Sequence, residues 1–432
     1  MKKLILLISL SLLASCSPYA TRPATHSTGS STATYNIPPA ERVASGTQAF
    51  LSDGTRFVAT DYHQLPSWQQ QRFSGSLKAF QIGCERLQAR PQWTAVCQVA
   101  RSTRNTDAAA KKFFEQYFTP WVVSQNGKLG GKVTGYYEPE IKGSLTYSPQ
   151  YPFPIYAIPD NFIVVPYTGG KRSGSLKIQM TGKHQGEVSS SGDYIANLAD
   201  FPLNERSKSL KGRIEGNRFL PFYTRAEINA GALNGKAKIL AYAADPVDLF
   251  FMHVQGSGRL SLPNGKTLSL IYADKNDQPY VSIGRYMVNR GYISMADANA
   301  NGIKKWLAQH PHQLAEVLGQ NPGYVFFKTG QTQQTGPIGA LGVPLIAEYS
   351  VAVDKHFIEL GSPIFVATTD PRNRRALNRL MIAQDTGSAI TGAVRIDFFW
   401  GFGHDAGRTA GKMNEVGYVW SLLPNGMMPN KH

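Results

Sequence analysis

Two aspartates near the carboxyl end, Asp385 and Asp397, stand twelve residues apart in the stretch AQDTGSAITGAVRIDFFWGFGHDAGRTAG. Thr386-Gly387-Ser388 follows the first and Phe398-Phe399-Trp400-Gly401 the second. Val394 to Trp400 alternates in the manner of a strand, which puts Arg395, Asp397 and Phe399 on one side. A carboxyl group carried on a strand among aromatic rings loses hydration; its charged form is disfavoured and its pKa rises. A protonated carboxyl beside flat apolar surface suits cleavage of a sugar–sugar bond. The competing role for either residue is structural, an aspartate that ends a strand. The pairing, the aromatics and the glycines favour chemistry.

With VAVDKHF around Asp354, this stretch resembles the three-aspartate module of the membrane-bound lytic murein transglycosylase A family. The resemblance extends upstream through VTGYYEPEIKG, FFMHVQGSGRL, SIGRYMVNRGYI and NPGYVFFKTG. It implies cleavage of the β-1,4 bond between N-acetylmuramic acid and N-acetylglucosamine without water, leaving a 1,6-anhydro ring. By resemblance Asp397 is the sole catalytic acid and base, and Asp385 and Asp354 are its supporting aspartates. A hydrolase normally needs two carboxylates; one suffices when the sugar's own C6 hydroxyl is the nucleophile. Thr134, Gly135, Tyr136 and Tyr137, with Gln255, Gly256, Ser257 and Gly258, match the blocks expected to border the substrate groove. Trp400 is expected to stack on a sugar ring, although core packing competes for every such aromatic.

The elements that must position these residues change character along the chain. Leu65 to Pro120 is helical, with an apolar face at Leu77, Phe80, Ile82 and Leu87 and an aromatic face at Phe113, Phe114, Tyr117 and Phe118. Asp107 is the expected N-cap of the last helix. From Gly131 to about Arg259 short apolar runs separated by Gly, Pro and Asn predict β structure. Helices are expected at Ser282–Arg290 and across Met295–Leu318, the latter interrupted at Pro311. Strands return at Ile346–Val353, Ile364–Thr368, Arg379–Ala383 and Val394–Trp400.

The resemblance implies a mainly β fold with flanking helices. A double-psi β-barrel domain would be assembled from 49–136 and 329–432, and a second β-barrel domain, 137–328, inserted between them. The groove would lie between the two, a common location for ligands.

The amino terminus indicates the compartment. Met1-Lys2-Lys3 precedes an apolar run from Leu4 to Leu13, too short to span a bilayer, and Leu13-Ala14-Ser15-Cys16 resembles a bacterial lipobox. Residues 1–15 are thus expected to be a signal peptide and Cys16 the lipidated terminus, anchored at the periplasmic side of the outer membrane. Residues 16–48, rich in Ser, Thr, Ala and Pro, are expected to be a flexible tether. Cys84 and Cys97 are either a disulfide or two buried thiols; Pro91 between them would break a helix and let them meet.

Forty-five Lys and Arg stand against 29 Asp and Glu, a net charge of +16. In the envelope this suits the acidic peptides of peptidoglycan or anionic lipid. No basic block, zinc-finger spacing or ribonucleoprotein motif points to nucleic acid. Gly256-Ser257-Gly258 is not a nucleophile elbow, and no Walker loop, dinucleotide fingerprint or calcium loop occurs, so neither metal nor cofactor is expected. Two rivals remain: a water-using glycoside hydrolase on the same barrel, and a non-enzymatic murein-binding lipoprotein.

Overall fold

The computed structural model describes residues 37–51, 53–205, 207–330, 336–387 and 389–430. The expected signal peptide, Cys16 and Ser388 lie outside the described residues.

The site stands on a closed ring of six strands. Around it run Asn414–Pro424, Pro363–Thr369, Ala376–Asp385, Ser350–Val353, Ile396–Phe402 and Gly130–Glu138, which pairs back onto Asn414–Pro424. Two neighbouring pairs are parallel: Ser350–Val353 with Ala376–Asp385, and Ile396–Phe402 with Gly130–Glu138. Parallel partners need long connections. Here the connection after Gly130–Glu138 is the whole insert. Ser350–Val353 is buried throughout, as befits a strand covered on both faces. It begins later than Ile346, because Glu348 turns the chain at a positive φ of 66° and Ser350 Oγ accepts from Ile346 N.

Gln48–Phe50, Thr55–Ala59 and Phe118–Gln125 extend the ring from its Asn414–Pro424 edge. Against them pack helices Ser74–Leu87, Pro91–Ser102 and Asp107–Tyr117, whose Phe80, Trp93, Phe113 and Phe114 join Phe118 in one core. The first two helices break at Gln88–Arg90, and Pro91 opens the second, where its missing N–H costs nothing. That turn brings Cys84 and Cys97 into a disulfide with Cα atoms 5.4 Å apart. Thr106, not Asp107, caps the third helix, its hydroxyl accepting from Ala109 N. Asp107 instead accepts from Ser74 N at the head of the first helix.

Ordered structure begins earlier than the tether expectation allowed. Ile37 and Val43 pack on the core, and Tyr117 donates its hydroxyl to Ile37 O at 2.8 Å. Residues 37–48 are therefore part of the domain surface rather than a free spacer.

The insert holds a second closed six-stranded barrel, ordered Tyr194–Asn197, Arg218–Pro221, Ser209–Glu215, Ile163–Pro166, Gln185–Val188 and Ser175–Gly182. It also holds a six-stranded sheet of Val325–Gly330, Thr267–Lys275, Gly258–Ser261, Glu140–Ser144, Ile239–Ala243 and Phe153–Tyr156. Helices Pro246–Gln255, Ile283–Asn289 and Ala300–Gln309 complete it. The fold is mainly β with two closed barrels. Among the described residues no helix is long and apolar enough to cross a membrane.

Candidate active site

Asp397 lies in the Ile396–Phe402 strand, and the parallel register sets it opposite Thr134, with Phe399 opposite Tyr136. The two strands thereby present Arg395, Asp397 and Phe399 beside Thr134 and Tyr136. Thr134 Oγ1 donates to Asp397 Oδ1 at 2.5 Å and accepts from Arg395 Nη2 at 2.8 Å. A guanidinium can only donate, so the threonine proton must point at the aspartate. Arg395 is held in turn by the carbonyls of Ile396 and Lys132.

Burial is the largest influence on Asp397 and pushes its pKa up to about 6. The Thr134 bond and the Arg395 charge oppose that rise, and the negative charge of Asp385 adds to it. The group can thus hold a proton near neutral pH and still give it up, as a general acid must.

Asp385 reaches the same side of the barrel from the end of Ala376–Asp385. Tyr136 donates its hydroxyl to Asp385 Oδ2 at 2.9 Å, and Ala340 N donates to Oδ1 at 3.0 Å. Burial raises its pKa, against backbone bonds from Thr386 and Ala340 and the Tyr136 bond. Burial and both carboxylates hold the Tyr136 phenol well above its usual range, so it remains a donor. Its ring lies 5.2 Å from that of Phe399, centroid to centroid. Asp354, directly after Ser350–Val353, is occupied by loop amides: Oδ1 accepts from His356 N and Oδ2 from Gly392 N at 2.8 Å.

The remaining candidates divide. Tyr137 N donates to Gln255 Oε1 at 3.2 Å, which joins the two blocks expected at the groove. Gly256 takes φ +84° to close helix Pro246–Gln255, a conformation costly for other residues. Ser257 is half-buried beside it. Trp400 corrects the expectation: it is 6% exposed on the opposite face from Asp397, stacked on Phe398 with centroids 4.5 Å apart and donating towards Met413 Sδ. Strand alternation puts residue 400 with 398, away from 397. Gly135 belongs to that hidden face as well, for a Cβ there would lie 2.7 Å from the Trp400 ring. Gly258 likewise makes room within the fold, for Met252.

The alternation set Arg395 on the face of Asp397 without giving it a role, and the exposure of Phe402 was not expected. Arg395 reaches Asp397 through Thr134, and its i−2 spacing was the available signal. Phe402 is 45% exposed, with the Arg259 guanidinium 4.1 Å from its centroid and Arg259 itself bonded to buried Glu138 at 2.8 Å. Nothing local in the sequence marked that aromatic as open. Among the described residues no group of three or more potential ligands could hold a metal ion.

The chain is thus a two-barrel protein whose first barrel carries a carboxyl raised towards neutrality and bonded to a threonine that an arginine also holds. Residues 132–328 match the MltA specific insert domain and residues 349–423 the 3D domain. The structure of MltA from Neisseria gonorrhoeae is similar at 51% identity and a TM-score of 0.82, over 91% of this chain and 97% of that one. Escherichia coli MltA with bound chitohexaose aligns at 26% identity and a TM-score of 0.57, over 89% of this chain and 94% of the other. Membrane-bound lytic murein transglycosylase A of Escherichia coli (strain K12) is 40% identical over 207 residues, 46% of this chain and 55% of the relative. The aligned sequence thus spans about half the length of that curated relative. The chain belongs to the membrane-bound lytic murein transglycosylase A family.

Proposed function

We propose that this protein is a murein lytic transglycosylase with Asp397 as its single acid and base. In this reading Asp397 protonates the glycosidic oxygen between N-acetylmuramic acid and N-acetylglucosamine as the C1–O bond breaks. The resulting carboxylate then takes the proton of the muramyl C6 hydroxyl as that oxygen bonds to C1. Bond, proton and charge balance without water, and the product is a 1,6-anhydro sugar. The nucleophile already belongs to the substrate, so positioning contributes as in any intramolecular reaction.

The observation that carries the reading is the environment of Asp397, whose pKa of about 6 suits donation and recovery of one proton. The relative holding chitohexaose supports an oligosaccharide as the class of ligand. A hydrolase would need Asp385 to accept a proton from water. Both its oxygens already accept bonds, from Tyr136 and from Ala340 and Thr386 amides. We therefore assign Asp385 and Asp354 as braces, with Tyr136, Tyr137 and Gln255 bordering the substrate.

Mass spectrometry of murein digested by the purified protein tests this. Anhydro products are one water lighter than hydrolytic ones, and reducing ends alone would sink the proposal. Lipidation at Cys16 would hold the enzyme at the periplasmic side of the outer membrane. Cys16→Ala should then appear in the soluble fraction, and its retention in membranes would contradict the anchor.

A further inference from the structure

The two carboxyl oxygens of Asp397 are not equivalent. Oδ1 accepts from the Thr134 hydroxyl at 2.5 Å, whereas Oδ2 has no hydrogen-bond partner among the described residues. Only Oδ2 is therefore open to an incoming group.

Which oxygen carries the proton of the neutral acid depends on Arg395. Its Nη2 donates to Thr134 Oγ1 at 2.8 Å, and its Nη1 donates to Ile396 O at 2.6 Å and to Lys132 O at 3.3 Å. The guanidinium thus takes acceptors from both strands that carry the site, which fixes its plane. It donates only and does not lose its proton. The threonine hydroxyl then has one hydrogen to place, and Asp397 Oδ1 is its acceptor. Turning that hydrogen away would leave a half-buried donor unpaired, at a desolvation cost.

Oδ1 is consequently an acceptor in the carboxylate and in the carboxylic acid alike, and the acid's own proton is left to Oδ2. Removing the arginine would release the threonine oxygen and both carbonyls. The hydroxyl could then turn and accept from Oδ1–H, and a proton held between Oδ1 and Thr134 is not offered to a substrate.

We propose that Arg395 is a positioning residue for the cleavage reaction: by fixing the Thr134 hydroxyl it confines the transferable proton of Asp397 to Oδ2. This rests on Asp397 as acid and base and deepens that reading. The Oδ2 proton passes to the glycosidic oxygen, which keeps the electron pair of the breaking C1–O bond. Oδ2 then takes the C6 hydroxyl proton as that oxygen bonds to C1, and Oδ1 stays bonded to Thr134 throughout. The other charged groups acting on Asp397 are Asp385, which raises its pKa, and Lys132, which lowers it as Arg395 does. The Tyr136 phenol is bonded to Asp385. None of these three side chains is bonded to the Thr134 hydroxyl among the described residues.

The test follows anhydro-sugar release from murein across pH by the full-length wild type, Arg395→Met, Thr134→Val and the double variant, with melting curves to confirm folding. Below about pH 6, where the acid is protonated, Arg395→Met should release product about tenfold more slowly, the effect of one hydrogen bond that misdirects the proton. Its falling limb should also move to higher pH, because a cation that lowers the Asp397 pKa is gone. Valine cannot accept the acid's proton. In the Thr134→Val background the same Arg395→Met change should therefore slow release by less than about twofold. Arg395→Gln, whose amide oxygen can accept from the threonine, is the second probe should the methionine variant not fold, with the same expected loss and the same dependence on Thr134. A folded Arg395 variant with the wild-type rate and limb would overturn the proposal. Equal slowing in both backgrounds would do so too, for the arginine would then act without the threonine. A wild type whose rate does not fall through about pH 6 would count instead against Asp397 as the acid.

Discussion

The molecule closes six strands into a barrel twice, and the two barrels differ in what they bury. The inserted barrel is filled by Ile163, Val165, Ile178, Ala196, Leu210 and Phe219, and no polar or charged residue between 163 and 221 is buried among those described. The first barrel buries Ser350, Asp354, Ser362, Asp370, Gln384 and Ser421 and holds Asp397 half-buried. Buried polar groups cost free energy unless fully bonded, and among the described residues the first barrel carries more of that cost than the second. Closure supplies rigidity in both.

The largest expected effect is at Asp397. Asp397→Asn should reduce turnover by at least about 10²–10⁴, the usual loss of a general acid, and by more where one group serves both steps. Its stability should not suffer at neutral pH. An acid raised to about 6 in the fold, from roughly 4 when unfolded, favours the folded state below about pH 4 and loses that contribution as pH rises through 6. The amide removes this dependence. Wild-type turnover in a folded variant would erase the distinction between the barrels.

In the inserted barrel the reverse is expected. Ile178→Ala, at a fully buried site, should cost about 2–5 kcal/mol in stability. Product formation per folded molecule should be unaltered, as read by denaturant titration beside anhydro-sugar release. A matching loss of turnover at full folding would mean that the scaffold barrel tunes chemistry.

Asp385→Asn should lower melting temperature and activity together, by about 1–3 kcal/mol in stability. Two backbone amides and the Tyr136 hydroxyl point at this carboxyl, and an amide must turn an NH₂ towards one of them. An unchanged melt, with anhydro sugars where the wild type gives reducing ends, would make Asp385 a water-activating base.

The smallest effect concerns pH. Activity should fall as pH rises through about 6, because the acid must start protonated. Thr134→Val removes a bond that lowers the Asp397 pKa, so the falling limb should move to higher pH by up to about one unit. A limb that stays in place would remove Thr134 from control of the proton.

Much of the site was legible locally. The period-2 pattern around Asp397 placed Arg395, Asp397 and Phe399 together, and the same pattern argues against Trp400 as a sugar platform. Helix Gly403–Lys412 and strand Asn414–Pro424, by contrast, were not expected from the sequence. That helix carries Gly403, Gly407 and Gly411, poor helix formers, and exists because it packs on Gly130–Glu138. A Cβ at Gly407 would stand 2.7 Å from the Tyr137 ring, so the glycine answers to a tyrosine far away in sequence.

By itself the sequence determined that a carboxyl would ride on an apolar strand, that helices would form between Leu65 and Pro120, and that strands would recur on both sides of a long insert. These follow from the chemistry of near neighbours. Only the tertiary structure decided that Thr134 meets Asp397 across 263 residues, that Tyr136 meets Asp385, and that Asn414–Pro424 joins Pro363–Thr369 and Gly130–Glu138 to close the ring. Register between distant strands is set by ring closure and by burial of both faces, and a one-residue slip would send every side chain to the wrong side. The proton of Asp397 depends on that register.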